Sequence, residues 1–211
     1  IQGSEEEIEI PVEDLPEDAG EIIDILTEES APPQTWTSFA VAYYRRGKKE
    51  NFQRILKLTA TTLQQDDDMG AQIKRIEVLN ALAGFQLSEA RLAKTDSRKG
   101  KTDREEALSQ AISYINQASQ IASDTNGLDE TASAAGTWVV RGELQLMQAQ
   151  EKGGGEGDTM VGAAKLSFQN ALVTWDGYIP ALLAKARLAF NEGDYKGALK
   201  LYCDTLKAKS D

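Results

Sequence analysis

The chain has 211 residues, 41% of them apolar and 27% charged, a balance suited to one folded domain or a short repeat array and too apolar for wholesale disorder. With one cysteine and no histidine, it excludes an internal disulfide, the usual zinc, haem and non-haem iron ligand sets, and every catalytic arrangement that needs an imidazole. No run of about 18 uncharged apolar residues occurs and the N-terminus opens on acids, so neither a membrane span nor a secretory signal is expected.

The net charge of −11 is unevenly placed. Twelve acids and no base precede Arg45, whereas the remaining 22 acids and 23 bases nearly cancel. Residues 1–32 therefore read as an acidic N-terminal arm, either solvated or docked on a basic surface. Ile1–Ser4 resembles a cloning remnant. Ile8 to Val12 alternates like a short edge strand that Pro11 would stop. Glu21 to Leu26 carries an apolar cluster fit for one or two helical turns.

From Pro33 onward the apolar spacing is helical, alanine is frequent and strand-like alternation is absent. Ala164, Phe168 and Ala171 recur as Ala198, Tyr202 and Thr205, each shifted by 34 residues. That period belongs to tetratricopeptide (TPR) repeats. Trp36, Ala40, Tyr43 and Gly47 fit the family's first helix and turn, followed by Phe52-x3-Leu56. Trp138 and Gly142 repeat the spacing, with Ala164 and Phe168 on the second helix. Ala186, Gly193, Tyr195, Ala198 and Tyr202 make the last unit. A weaker unit joins Ile73–Ser88 to Ala111 and Ile115. Antiparallel helices approach to about 8–10 Å only where facing side chains are small, so Ala or Gly marks each crossing.

The expected architecture is all-α: a right-handed superhelical solenoid of TPR helix-turn-helix repeats carrying the acidic arm. About four repeats are expected, over 33–65, 69–125, 134–177 and 179–211, in what reads as an N-terminal fragment of a longer chain. Two insertions interrupt the pattern, near 94–104 and 152–160. Gly142 and Ala164 stand 22 residues apart where Ala186 and Ala198 stand 12 apart. Both insertions, rich in Gly, Lys and Asp, are expected as mobile loops.

No motif carries chemistry. Gly153–Asp158 lacks the preceding strand and the Gly-Lys-Ser/Thr of a phosphate cradle. Asp66–Asp68 misplaces the glycine of a calcium loop and fits a helix N-cap better. The basic runs around Gly47 and Gly100 lack interleaved aromatics and read as solvated turns, so direct nucleic-acid binding is not expected. Cys203 is expected as a half-buried thiol. Neither catalytic nor metal-binding residues are assigned, nor any cofactor. What remains is the surface that first helices of successive repeats present: Thr37, Val41, Tyr44 and Arg45; Val139, Glu143, Leu146 and Met147; Leu183, Arg187, Phe190 and Asn191. This mixture of aromatic, aliphatic and Arg side chains suits a partner segment.

Two stretches resemble something narrower than a generic repeat. Ile8–Pro11, Leu15–Glu17 and Ile22–Leu26 lead into Trp36 and Ala42–Lys48; Ile179–Arg187 is followed by Asp194–Leu199. Together they resemble the N-terminal region of the large TPR subunits of the RNA polymerase II-associated factor (Paf) complex, in a fungal-like version. The resemblance implies a nuclear, non-enzymatic scaffold that supports transcription elongation and co-transcriptional histone modification. It further implies that a segment of the complex's namesake subunit occupies the groove, with other Paf subunits and RNA polymerase II engaged through the full-length protein. Another TPR adaptor or co-chaperone-type peptide module is the alternative, although Thr37 and Val41 stand where a carboxylate clamp would begin.

Overall fold

A computed structural model describes residues 15–94 and 96–208. The edge strand expected over Ile8–Val12 lies outside them. Among the described residues every regular element is helical: α1 (Gly20–Glu28), α2 (Pro33–Arg45), α3 (Lys49–Thr62), α4 (Met69–Leu92), α5 (Arg98–Asp124), α6 (Ala132–Lys152), α7 (Gly154–Thr174), α8 (Ile179–Asn191) and α9 (Tyr195–Ala208), with a 3₁₀ turn at Leu63–Gln65. None is long and apolar enough to cross a membrane. The helices pair in chain order as hairpins α2/α3, α4/α5, α6/α7 and α8/α9, the arrangement of stacked TPR units. They fall into two compact units, Ile1–Gln65 and Asp66–Asp211.

In the first unit, Pro33 opens α2, where its missing N–H and fixed φ cost nothing. Gly47 turns the chain at φ +74°, a conformation that side chains resist. Ala40 and Tyr43 are fully buried, with Phe52, Ile55 and Leu56 of α3 and the rim-buried Trp36 around them. The Trp36 indole donates to the Ala31 carbonyl at 3.1 Å. The arm docks on this hairpin. Leu15, Ala19, Ile22, Ile23 and Leu26 are buried, and the acids beside them meet bases of the α2–α3 turn and α3. Lys48 and Arg46 pair with Glu17, and Arg54 pairs with Asp18 at 3.1 Å. Arg46 also donates to the Leu15 carbonyl, and Asn51 to that of Glu17 at 2.8 Å. The basic turn that reads as solvated in the sequence thus clasps the arm. Beside Lys48, the Glu17 carboxyl is held below the usual carboxylate range.

The second unit shows what the two insertions become. Neither is a loop. Arg98–Arg104 forms the first turns of α5, and Gly154–Asp158 those of α7, with Gly153 alone between α6 and α7. The helices lengthen instead: α4 to α7 have 24, 27, 21 and 21 residues, against 13 and 14 in α8 and α9. Two of the glycines serve close approach. A Cβ on Gly100 would stand 1.7 Å from the Lys94 carbonyl oxygen, and one on Gly157 2.9 Å from that of Ala149. Ser97 caps α5 through the Gly100 N–H at 3.1 Å. Arg104 ties it down by reaching the Ala90 carbonyl at 2.7 Å and Glu151 at 2.6 Å. Asp68 caps α4 in the same way, accepting from Gly70 and Ala71.

The cores follow the small residues. Ala83, Leu87, Ala107, Ala111, Ile115 and Leu144 pack where α4, α5 and α6 meet. Ala164 and Phe168 pack against Ala184 and Leu188, and Ala135 against Ala171 and Ala181 beside half-buried Trp138. Arg141 stacks over the Trp138 ring, 5.1 Å from its centroid. Ala186 is fully buried and Ala198 nearly so, and Gly193 turns α8 into α9 at φ +84°. Tyr195 and Tyr202, expected to fill this last unit, are 64% and 39% exposed; Tyr195 stacks edge-on against Phe190 at 5.3 Å. Cys203 is exposed, not half-buried. The fully buried Phe168 has α8 laid over it, whereas the main neighbour of α9 is its own hairpin partner.

Gly142 marks the tightest crossing: a Cβ there would lie 2.4 Å from the Phe168 ring. Replacing Gly142 with Leu is expected to overpack the α6/α7 contact by about 1–3 kcal/mol, read as a lower urea midpoint with an unchanged slope.

Candidate functional site

Within the second unit α4, α6 and α8, the first helices of three consecutive hairpins, lie side by side and share one solvent-open face. A polar ladder fixes their register. The Asn80 amide donates to the Ser133 carbonyl at 2.8 Å and accepts from the Thr137 hydroxyl at 2.9 Å. Ser133 donates to Glu77 at 3.1 Å, and Lys74 pairs with the same carboxylate at 2.9 Å. Farther along, Glu143 on α6 receives Arg91 from α4 at 2.6 Å and Arg187 from α8. The Glu143 side chain is only 15% exposed, while those of Arg91 and Arg187 are 48% and 52% exposed.

Two clefts flank this bridge along α6, one on the shared face and one at its edge, where the start of α7 meets α6 and α8. One, of about 370 Å³, is lined by Ala81, Gly136, Val139, Val140 and Pro180, with Glu77, Asn80 and Tyr178 supplying polar groups. The other, of about 280 Å³, is lined by Leu146, Val161 and Leu188 and rimmed by Gln150, Asp158 and Asn191. Gly136 permits the close fit of the first: a Cβ there would stand 3.1 Å from both the Asn80 amide nitrogen and the Tyr178 hydroxyl. Neither cleft gathers an activated nucleophile or an acid–base pair. The chemistry on offer is recognition, by apolar contact, hydrogen bonding and charge.

The groove residues expected from the sequence separate into three groups. Leu183, Arg187, Phe190 and Asn191 are exposed along α8, with Val41, Tyr44 and Arg45 on α2. Tyr44 tilts over the Phe52 ring at 5.1 Å. Thr37, Val139, Glu143 and Leu146 are half-buried; the Thr37 hydroxyl donates to the Gln34 carbonyl at 2.8 Å. Met147 does not face the groove. It is 3% exposed in the core that α4, α5 and α6 share, together with Ala107, Ala111 and Ile115 of α5. The sequence pattern does not single out Arg91, Asn80 or Tyr178. Most apolar residues of α4 are buried, on several sides of the helix, so its sequence displays no single polar stripe from which an outward face could be read.

Burial raises the pKa of the Tyr43, Tyr114 and Tyr178 hydroxyls, for Tyr178 with help from the Glu77 charge. A raised folded-state pKa means that the stabilisation is complete below about pH 10, where the unfolded phenol titrates, and is lost as pH climbs through the folded value. Urea melts between about pH 8 and pH 11 should show stability falling on the alkaline side. Tyr178→Phe should flatten part of that fall; an identical slope would refute it.

No family model matches the chain. Over 202 residues, 96% of this chain, it is 33% identical to a protein CTR9 homolog of Arabidopsis thaliana, of which it covers 16%. It is 33% identical over 205 residues to tetratricopeptide repeat protein 1 of Schizosaccharomyces pombe, covering 96% of this chain and 17% of that one. The RNA polymerase-associated protein CTR9 of Caenorhabditis elegans is 26% identical over 195 residues, covering 92% and 15% respectively. The chain thus spans about one sixth of the length of the curated relatives it matches.

Paired helices crossing at small residues, together with these similarities, define a tetratricopeptide-repeat protein. More particularly, the chain is similar over nearly its whole length to one segment of CTR9 proteins.

Proposed function

We propose that this region is a non-enzymatic scaffold of a nuclear Paf-type transcription elongation complex, and that its first-helix face holds a segment of the complex's namesake subunit. The observation that carries the reading is similarity along 96% of the chain to a protein named a CTR9 homolog, joined by a relative named an RNA polymerase-associated protein. The face built by α4, α6 and α8 supports it. It is open and mixes apolar clefts with half-exposed arginines, the composition of a protein-binding surface rather than of an enclosed substrate pocket. The exposed Val41, Tyr44 and Arg45 on α2 are a second contact area.

Through such contacts the full-length protein would assemble the other Paf subunits on RNA polymerase II and support elongation and histone modification. A segment that orders on binding loses several kcal/mol to ordering, so tight association requires an interface of about 1,600 Å² or more. Co-purification of the full complex carrying Tyr44→Ala, Arg187→Ala and Phe190→Ala tests the reading. The namesake subunit is expected to be depleted from the assembly; a complex of unchanged composition, with no binding of that subunit to this region by titration calorimetry, would reject it. The alternative, another TPR adaptor, predicts capture of a free acidic C-terminal peptide instead.

A further inference from the structure

The partner-binding reading of the α4/α6/α8 face leaves open what kind of segment that face selects, and its charge layout answers more sharply than its shape. At the midline two guanidiniums converge on one carboxylate. Each arginine reaches Glu143 through Nη2, which leaves most of its fork of five N–H donors facing solvent. The cluster therefore has one positive charge in excess and unsaturated donors, and it sits at the centre of the face. The linings of the two clefts contain no Lys or Arg: Glu77 in one is already paired with Lys74 at 2.9 Å, and Asp158 rims the other.

Between these charges the linings are apolar, with Val139 and Val140 on one side and Leu146, Val161 and Leu188 on the other. Glu143 stands seven residues from Gly136 and seven from Gln150. At about 1.5 Å of rise per residue the clefts extend about 10 Å either way from the bridge, a distance that an extended chain covers in about three residues.

We infer that this face selects an extended peptide whose acidic side chain docks on Arg91 and Arg187, with an apolar residue about three positions away on each side filling the two clefts. Glu143 acts as the positioning residue: buried between the arginines, it aims both guanidiniums at one point. The cleft linings hold no Lys or Arg to receive a carboxylate at either end of the peptide, which favours the central position. This inference rests on the partner-binding reading and narrows it.

A displayed library of random dodecapeptides, selected on the whole chain, is the probe. The expected result is enrichment of sequences with Asp or Glu flanked at about three residues by Leu, Ile, Val or Phe on both sides. Changing that acid to its amide should weaken binding about ten- to a hundredfold, the scale of a charge-assisted contact. The charge-free variant Arg91→Gln/Glu143→Gln/Arg187→Gln should show the same loss and no further sensitivity to the peptide's amide. If that variant does not fold, the peptide's acid-to-amide change on the unaltered chain is decisive by itself. Enriched peptides that bind the face, lose affinity with Leu183→Glu, and yet carry no central acid would overturn the inference and leave the partner-binding reading standing. Should no enriched peptide depend on this face, both fall together.

Discussion

Phe168→Ala is expected to destabilise the second unit by about 3–5 kcal/mol, the cost of emptying a fully buried aromatic site. Phe168 is 0% exposed and stands opposite Gly142 on α6, with Ala184 and Leu188 of α8 against it. Closing the void would need Leu188, Val139, Leu146 or Val161 to shift, because the facing Gly142 has no side chain and Ala164 and Ala184 have only a methyl group. For a chain of this size a loss of that order lowers the melting temperature by roughly 10 °C, at about 2–4 °C per kcal/mol. Thermal melts followed by circular dichroism measure it. Phe168→Leu, which keeps most of the volume, should recover much of the loss; equal melting temperatures for the native chain and Phe168→Ala would mean that α6, α7 and α8 do not share this core.

Ile22→Asp is expected to release the arm from the first hairpin. Ile22, Ile23 and Leu26 are buried on one face of α1, and burying such side chains contributes about 1.5–3 kcal/mol each. Keeping α1 docked with a carboxylate at position 22 would require desolvating a charge on the apolar face that Ile22, Ile23 and Leu26 bury. Undocking is the cheaper outcome, and it sacrifices the apolar contact together with the pairs that Glu17 and Asp18 make. Those exposed pairs are individually worth little, so Glu17→Gln should have a small effect where Ile22→Asp has a large one. Limited proteolysis reads the difference: cleavage within residues 15–32 should accelerate strongly in Ile22→Asp and only slightly in Glu17→Gln. Equal rates in all three would show that apolar burial does not hold the arm.

These two sites also show which features a sequence displays and which it conceals. Where two helices cross at contact distance, only Gly or Ala fits. The crossing therefore leaves a mark at a fixed spacing, and Gly142, Ala164, Ala186 and Ala198 can be read directly. Helix length leaves no such mark. The glycines of 152–160 and the Lys-Gly-Lys run of 99–101 have loop-like composition, yet nearly all of them lie in helical turns, and at Gly100 and Gly157 a neighbouring carbonyl approaches too closely for a side chain. Met147 is likewise hidden, in the core that α4, α5 and α6 share.

Charge partners are equally hidden. Arg46 and Lys48 read as a solvated turn until the acids of the arm fold back on them, and the Arg91–Glu143–Arg187 bridge joins residues 44 to 52 positions apart whose pairing no local pattern encodes. The outward set on α8 is legible because α8 is short and amphipathic, with Leu183, Arg187 and Phe190 one or two turns apart. The outward face of α4 is not, because that helix is packed by both α5 and α6.

What matters most is whether the first-helix face, and not the rest of the surface, receives the partner. Isothermal titration of the namesake subunit's N-terminal region into three forms of this chain tests it directly: the native sequence, a Leu183→Glu/Phe190→Glu variant on α8, and a Leu166→Glu/Val173→Glu variant on α7. All four positions are exposed, so each pair can be changed without disturbing a core. Binding abolished by the α8 pair and unaffected by the α7 pair is the predicted result; the reverse pattern, or binding indifferent to both, would contradict it.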